Sequence, residues 1–443
     1  MSKDIVKPSI LPGFMELLPA DQIIFNKMMD TIRENYEKFG FVPLDTPTIE
    51  KSEILLAKGG GETEKQIYRF NKGDSDLSLR FDLTVPLARY VAQHFSDLNF
   101  PFRRYHISKV FRGERNQKGR FREFYQCDID IIGNGKLNII NDAEIPTVIY
   151  STFKALNFGE FTIRINNRNV LNGFFDALNV TDKILVLRII DKIEKIGVDS
   201  VKEELKSLGI DEKAVESIIN FINIKGNNDE VIKSLKKLNI TNEIFIKGLE
   251  ELEKVVHYIR CFKVPEKNFK IDLTIARGLD YYTGTVYETI LDDYPNIGSV
   301  CSGGRYENLA GYYTNQKLPG VGISIGLTRL FYQLREANII GENSSQTLSK
   351  VLVIPMDENI EYAIDVANTL RANSIISELY LEEAKLGKKF GHADKLKIPY
   401  TIVIGSDEVN NNKVALKDMK SGEQSIVTIE EAIKTINSKQ KLL

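Results

Sequence analysis

The stretch from Tyr105 to Ile132 constrains the fold more than any other part of the chain. Apolar and polar residues alternate through it with period two, broken by Asn116-Gln117-Lys118-Gly119. Successive side chains of an extended strand point to opposite faces, so the pattern predicts two strands joined by a polar loop. Between Arg103 and Arg122, eight of twenty residues are Lys or Arg, and Glu114 is the one acid. In the second strand, period two puts Arg120, Arg122, Gln126, Asp128 and Asp130 on one face. Phe121, Tyr125, Cys127, Ile129 and Ile131 take the other. A solvated charged face is one reading. The other is a bipolar pocket, with cations at one end and an amide plus carboxylates at the other. Arg suits a triphosphate there, because its planar fork gives paired hydrogen bonds to phosphate oxygens.

Other segments take different periods. Ile24, Met28, Ile32, Tyr36 and Phe39 recur at helical spacing, with Asp21 before and Gly40 after, so residues 20–39 are expected to form an amphipathic helix. A second helix is expected to start near Thr84-Val85-Pro86, where the missing proline N–H matters little. Residues from about 178 to 262 are dominated by Lys, Glu, Ile and Leu at helical spacing and read as a helical insertion. Alternation returns from Phe269 to Ile275 and predicts a strand. A polar stretch begins at Gly341-Glu342-Asn343-Ser344-Ser345-Gln346, and 341–349 reads as a linker. Beyond it, from 350 to 443, strands expected at Val351–Ile354 and Thr401–Ile404 flank a helix at 359–372. That rhythm suggests a small, mostly parallel sheet with helices on its faces.

A chain of 443 residues with 42% hydrophobic and 27% charged residues is globular and long enough for two or three domains. The net charge of −2 excludes a globally basic nucleic-acid coat but not a local basic patch. Cys127, Cys261 and Cys301 lie far apart, and the four histidines form no HExxH arrangement, so no protein-held metal is expected. The start, MSKDIVKPSILPGF, carries no targeting pattern, and no apolar run approaches the roughly 18 residues of a membrane span. A cytoplasmic protein with no membrane partner is expected.

Two further segments are candidates for chemistry. Ala276-Arg277-Gly278-Leu279-Asp280-Tyr281-Tyr282-Thr283-Gly284 either turns at a glycine with tyrosines in the core, or projects a cation and two amphipathic rings into a cleft. Cys301-Ser302-Gly303-Gly304-Arg305-Tyr306 and Gly320 through Arg329 are rich in glycine, which lets backbone approach a ligand closely. Gly322-Ile323-Ser324-Ile325-Gly326 matches the GxSxG pattern of hydrolase nucleophile elbows, but the histidines suggest no triad. Cys301 reads as an inert small residue. No GxGxxG and no GxxxxGK[ST] occurs. A nucleoside triphosphate would have to be held by Arg residues on an antiparallel sheet.

These segments together resemble the histidyl-tRNA synthetases, a family of class II aminoacyl-tRNA synthetases. Phe111 through Arg115 with Arg120 through Asp128 is similar to class II motif 2 in its histidyl variant, and Gly320–Arg329 is similar to motif 3. Phe41–Glu50 resembles the dimer-forming motif 1. Ala276–Tyr282 and Ser302–Tyr306 resemble the two histidyl signatures, and Leu77–Pro86 the segment that binds the amino group. The resemblance covers about residues 10–435. It implies an α+β fold: an antiparallel-sheet catalytic domain at 1–340 carrying the helical insertion, and a C-terminal α/β anticodon-binding domain at 350–443. It implies ATP-dependent ligation of L-histidine to tRNA(His) through histidyl-adenylate, with Mg²⁺ bridging phosphates, in a homodimer.

Site residues follow from the same resemblance. Arg112 would grip the α-phosphate, Glu114 face adenine, and Arg120 with Arg329 hold the β,γ end of a bent ATP. Arg277 would touch both the histidine carboxylate and the α-phosphate. Asp82, Leu83, Thr84 and Gln126 match positions around the substrate ammonium; Asp130, Tyr281 and Tyr282 would meet the imidazole. The loop Arg115–Gly119 would meet the tRNA acceptor end, and the insertion would lean on the acceptor arm. The sequence departs from the family at Leu11–Glu16 and at Thr328, where an acid is usual. One rival is a catalytically silent, histidine-sensing paralogue resembling the regulatory subunit of ATP phosphoribosyltransferase. Such proteins lose phosphate-binding arginines and usually the C-terminal domain, whereas Arg112, Arg120, Arg277 and Arg329 are all present here. A class II synthetase for threonine, proline or glycine is the other rival, opposed by the two histidyl signatures.

Overall fold

The computed structural model describes residues 5–57, 62–114, 119–275, 282–341, 345–356 and 359–440. Two compact units divide the chain: Met1–Met15 with Met28–Ile339, and Glu16–Lys27 with Ile340–Leu443.

The first unit is built on an eight-stranded sheet. Its strands lie in the lateral order Val42–Pro43, Phe102–Phe111, Glu123–Ile132, Gly320–Gly326, Ser299–Tyr306, Thr285–Leu291, Phe161–Asn167 and Phe269–Ile271. The six inner strands pair antiparallel, and one short parallel strand closes each edge. The expected hairpin is there, in unbroken register from Phe102 opposite Ile132 to Phe111 opposite Glu123. Period two does not extend as far as the sequence suggested. The first strand ends at Phe111, so the second begins at Glu123, and Arg120 and Arg122 precede it. Arg122 instead turns toward the N-terminal segment: its amide donates to the Gly13 carbonyl at 2.7 Å and its guanidinium to the Pro12 carbonyl at 3.4 Å. The strand expected to reach Ile275 stops at Ile271. There the Asp272 carboxylate accepts from both the amide and the hydroxyl of Thr274, a local turn that competes with the ladder.

Both glycine-rich segments are strands rather than loops. Alternation in Gly320–Gly326 puts Gly322, Ser324 and Gly326 on one face and Val321, Ile323 and Ile325 on the other. Ser324 therefore sits mid-strand, without the strand-to-helix turn that a nucleophile elbow requires.

Five helices, from Lys183–Ile190 to Glu243–Cys261, occupy the stretch expected to be a helical insertion. Caps explain four of the starts: the side chains of Asp182, Asp211, Asn227 and Asn242 each accept from first-turn amides, and Asn227 forms a capping box with Glu230.

In the second unit the strand order is Ser377–Leu379, Val351–Pro355, Tyr400–Ile404, Val414–Asp418 and Gln424–Val427. The first three run parallel and the last two add antiparallel, so the sheet is mixed where a mostly parallel one was expected. Val351 and Val353 pack with Val366 and Leu370 on one face, while Leu352 and Ile354 pack with Ala393 on the other. Because both faces are covered by helices, the strand Val351–Pro355 is apolar throughout.

Candidate active site

A cleft of about 430 Å³ opens on the small-residue face of the large sheet. Register explains its shape. Gln126, Asp128 and Asp130 project from one strand, opposite Ser108, His106 and Arg104 on one side and Gly326, Ser324 and Gly322 on the other. The next strand continues the trough, with Ser302 opposite Ser324 and Gly304 opposite Gly322. Missing side chains make the space. A methyl on Gly322 would collide with the Asp130 carboxyl, and one on Gly304 would come within 2.9 Å of the Tyr282 ring.

Arg112, Glu114, Arg120 and Arg329 line one part of the cleft. Arg112 directly follows its strand; its Nε donates to the Phe81 carbonyl at 3.2 Å, and its guanidinium lies over the rings of Phe81 and Phe124 at 4.4 and 5.1 Å. Arg120 reaches Glu114 at 3.4 Å. Arg329 occupies the first turn of the helix Leu327–Glu336 and donates to the Ile297 carbonyl at 3.4 Å. Thr328, the departure before it, accepts from the Tyr125 amide at 2.8 Å and ties that helix to the sheet.

Thr84, Gln126, Asp130 and Tyr282 also line the cleft. Asp82 and Leu83 do not. The Asp82 carboxylate accepts from the amides of Thr84 and Val85 at 3.1 and 2.9 Å and so opens the helix Thr84–Gln93. The Leu83 side chain is buried in the core, and its carbonyl accepts from Arg104 at 3.3 Å. Arg277, Tyr281 and the loop residues 115–118 lie outside the described residues.

Some lining residues had no role in the sequence reading. The Tyr306 hydroxyl donates to Asp130 at 2.8 Å, and buried Arg104 pairs with the same carboxylate at 2.5 Å. Asp128 stood on the expected face but carried no assignment; it is 2% exposed and lines the cleft. Arg305, within the second histidyl signature, points away to a buried ion pair with Asp142 at 2.6 Å. Cys301 is buried, and desolvation pushes its thiol well above the ordinary range.

Burial dominates the electrostatics of the deep end. Desolvation raises Asp128 to about 7 and Asp130 to about 6, against the opposing pull of Arg104. A carboxyl raised on folding adds stability below its unfolded value near 3.8 and loses that contribution as pH climbs through about 7. Asp128→Asn removes the titration. Urea unfolding is therefore expected to find this variant gaining on the wild type between about pH 5 and pH 8; a constant difference across that range would contradict the assignment. Among the described residues, no group of three or more His, Cys, Asp or Glu side chains is arranged to hold a metal ion. No described helix is long and apolar enough to cross a membrane.

The family model for histidyl-tRNA synthetase matches residues 13–330, and that for an anticodon-binding domain matches 350–439. A histidine–tRNA ligase of Clostridium tetani is 76% identical over 99% of this chain and all of the relative. The crystal structure of histidyl-tRNA synthetase from Nostoc sp. PCC 7120 is 44% identical and superposes with a TM-score of 0.92, covering 98% of this chain and 100% of that one. A Bacillus halodurans structure described as an ATP phosphoribosyltransferase regulatory subunit/histidyl-tRNA synthetase covers 88% of this chain and 97% of its own at 22% identity and a TM-score of 0.74, a likeness of fold alone.

Proposed function

The chain belongs to the histidyl-tRNA synthetase family, and from that premise we propose how its residues carry out the reaction. It is a ligase that joins L-histidine to tRNA(His) in an ATP-dependent reaction through histidyl-adenylate, and the silent paralogue is not favoured. The polarity of the cleft carries the assignment of roles. Arg112 lies where the hairpin strand ends and Arg329 just past Gly326, while Asp128, Asp130 and the Tyr306 hydroxyl lie further along the strands. ATP phosphates thus occupy the first end and the amino-acid side chain the second.

Adenylate formation needs positioning and charge neutralisation more than covalent help. Histidine's carboxylate attacks the α-phosphorus and pyrophosphate leaves. Arg112 holds the α-phosphate, Arg120 and Arg329 the β,γ end, and Glu114 faces adenine. Arg277, carried by the sequence resemblance, spans the histidine carboxylate and the α-phosphate. Thr84 and Gln126 serve the ammonium directly, Asp82 adds negative charge nearby from the start of the same helix, and Leu83 contributes backbone only. Asp130, Tyr281 and Tyr282 serve the imidazole. Arg104 and Tyr306 fix the Asp130 carboxylate on two sides. A pocket of such paired polar groups rejects an analogue that leaves them unpaired by roughly 10⁴-fold, so editing is not required. Mg²⁺ would come with the triphosphate and draw few protein ligands; of the lining carboxylates, Glu288 would meet it. It would neutralise phosphate charge.

Adenosine at the tRNA 3′ end then takes the acyl group. The 115–119 loop meets that end, the helical insertion leans on the acceptor arm, and the C-terminal unit takes the anticodon. The test is exchange of pyrophosphate into ATP. It is expected with histidine and with no other amino acid, and exchange driven by another amino acid would overturn the reading. We also propose a cytoplasmic homodimer. Motif 1 leaves Val42 and Ile49 about half exposed, each on a short strand at the edge of a different sheet; light scattering is expected to give twice the 50.3 kDa chain mass, and a monomer would refute dimerisation.

A further inference from the structure

We propose that Asp128 and Ser324 are positioning residues that set the orientation of the Gln126 amide, turning its carbonyl toward the substrate ammonium. The inference rests on the assignment of Gln126 to the ammonium made above.

Gln126 is the neutral group of that subsite, and an amide has two faces with opposite chemistry. Only the carbonyl oxygen can accept from an ammonium; the amide NH₂ would repel it. A glutamine side chain flips readily unless its neighbours decide the matter, so something must hold it one way. Here the Gln126 Nε2 donates to the Ser324 hydroxyl oxygen at 2.8 Å. Ser324 lies directly opposite Asp128 in the adjoining strand, on the same face of the sheet, which sets its hydroxyl beside the Asp128 carboxyl. A serine hydroxyl owns one proton. When Asp128 is ionised and accepts a hydrogen bond from that proton, the oxygen can only accept from Gln126, and the chain acquires a direction: amide to hydroxyl to carboxylate. The flipped amide would set its carbonyl against the hydroxyl oxygen and strip Asp128 of its donor.

The amide end of the chain agrees with this direction. The Gln126 Oε1 is buried and accepts no hydrogen bond from the protein. Buried acceptors without donors are rare in a folded protein unless a ligand supplies the donors. An ammonium brings three. Register makes the arrangement possible: Gly326 and Gly322 flank Ser324 on its face, so no bulkier neighbour screens the hydroxyl from Gln126 or Asp128.

Two histidine analogues separate the ends of the substrate. Histidinol keeps the ammonium and the imidazole; imidazolepropionate keeps the imidazole and the carboxylate but has no ammonium. Both are to be tested as inhibitors of histidine-dependent pyrophosphate exchange with wild type, Ser324→Ala, Asp128→Asn and the double variant. Each single variant is expected to raise the histidinol inhibition constant about tenfold or more, the worth of one hydrogen bond to a charged group. Imidazolepropionate inhibition and the KM for ATP should stay within about twofold. The double variant should be no worse than either single one, as for residues acting in one chain. Ser324→Thr, which keeps the hydroxyl, should restore histidinol inhibition. Equal losses for both analogues would overturn the proposal. So would a loss confined to Asp128→Asn, which would mean direct contact, or no loss at all with a folded variant by circular dichroism. If the wild type shows no histidine-dependent exchange, the underlying assignment fails instead.

Discussion

Arg112→Ala is expected to lower the turnover of histidine-dependent pyrophosphate exchange by about 10²–10³-fold, the loss typical of removing one preorganised electrostatic contact from a transition state. The reason lies in how the side chain is held. Phe81 and Phe124 lie against its guanidinium, and the Phe81 carbonyl takes its Nε proton, so the plane of the fork is set before substrate arrives. Charge builds on the α-phosphorus during attack, and a cation already in place needs no reorganisation to meet it. The loss should therefore fall mainly on kcat rather than on the KM for ATP. Arg112→Lys should not rescue, since a point charge on a flexible stem neither stacks between two rings nor bonds phosphate with two parallel N–H groups. Steady-state exchange kinetics on both variants, with folding checked by circular dichroism, decide it. A fall of less than about tenfold would remove Arg112 from the proposed machinery.

That arginine was legible in the sequence because its motif is local. Gln126 and Asp130 were legible because alternation is a property of the strand alone. Arg120 and Arg122 were misread as strand residues because a strand's beginning depends on its partner, and nothing near Arg120 says that the first strand has ended at Phe111. The GxSxG segment was ambiguous for the opposite reason. Its small residues match an elbow, a phosphate loop or a trough, and only pairing with Gln126, Asp128 and Asp130 selects the trough. Asp82 and Leu83 show a third limit: a motif names a segment, but the sequence does not divide it between cap, core and cleft. Arg305 shows a fourth. Its partner Asp142 is 163 residues away, so an arginine in a signature looked like chemistry when it is architecture.

Asp142→Ala is accordingly expected to destabilise the first unit by about 3–5 kcal/mol, the usual consequence of leaving a buried charge without its partner. Asp142 is fully buried in the first turn of the helix Ile140–Leu156, and both its oxygens accept from Arg305, whose Nε lies at 2.9 and 3.1 Å and Nη2 at 2.6 Å. The Thr285 hydroxyl adds a bond at 2.7 Å. Desolvation raises the Asp142 pKa even against the opposing pull of Arg305. Removing the carboxylate leaves Arg305, 6% exposed, with the carbonyls of Leu137 and Asn138 at 3.2 and 3.4 Å and the partly exposed Glu307 at 3.7 Å as weak substitutes. A paired replacement tests whether stranding is the mechanism. Asp142→Leu with Arg305→Met takes away both charges and should cost less than Asp142→Ala alone, because no ion remains to be desolvated. Urea unfolding followed by near-ultraviolet circular dichroism provides the comparison. If Asp142→Ala stayed within about 1 kcal/mol of wild type, or the paired variant were the less stable of the two, the ion pair would not be what anchors that helix to the sheet behind the cleft.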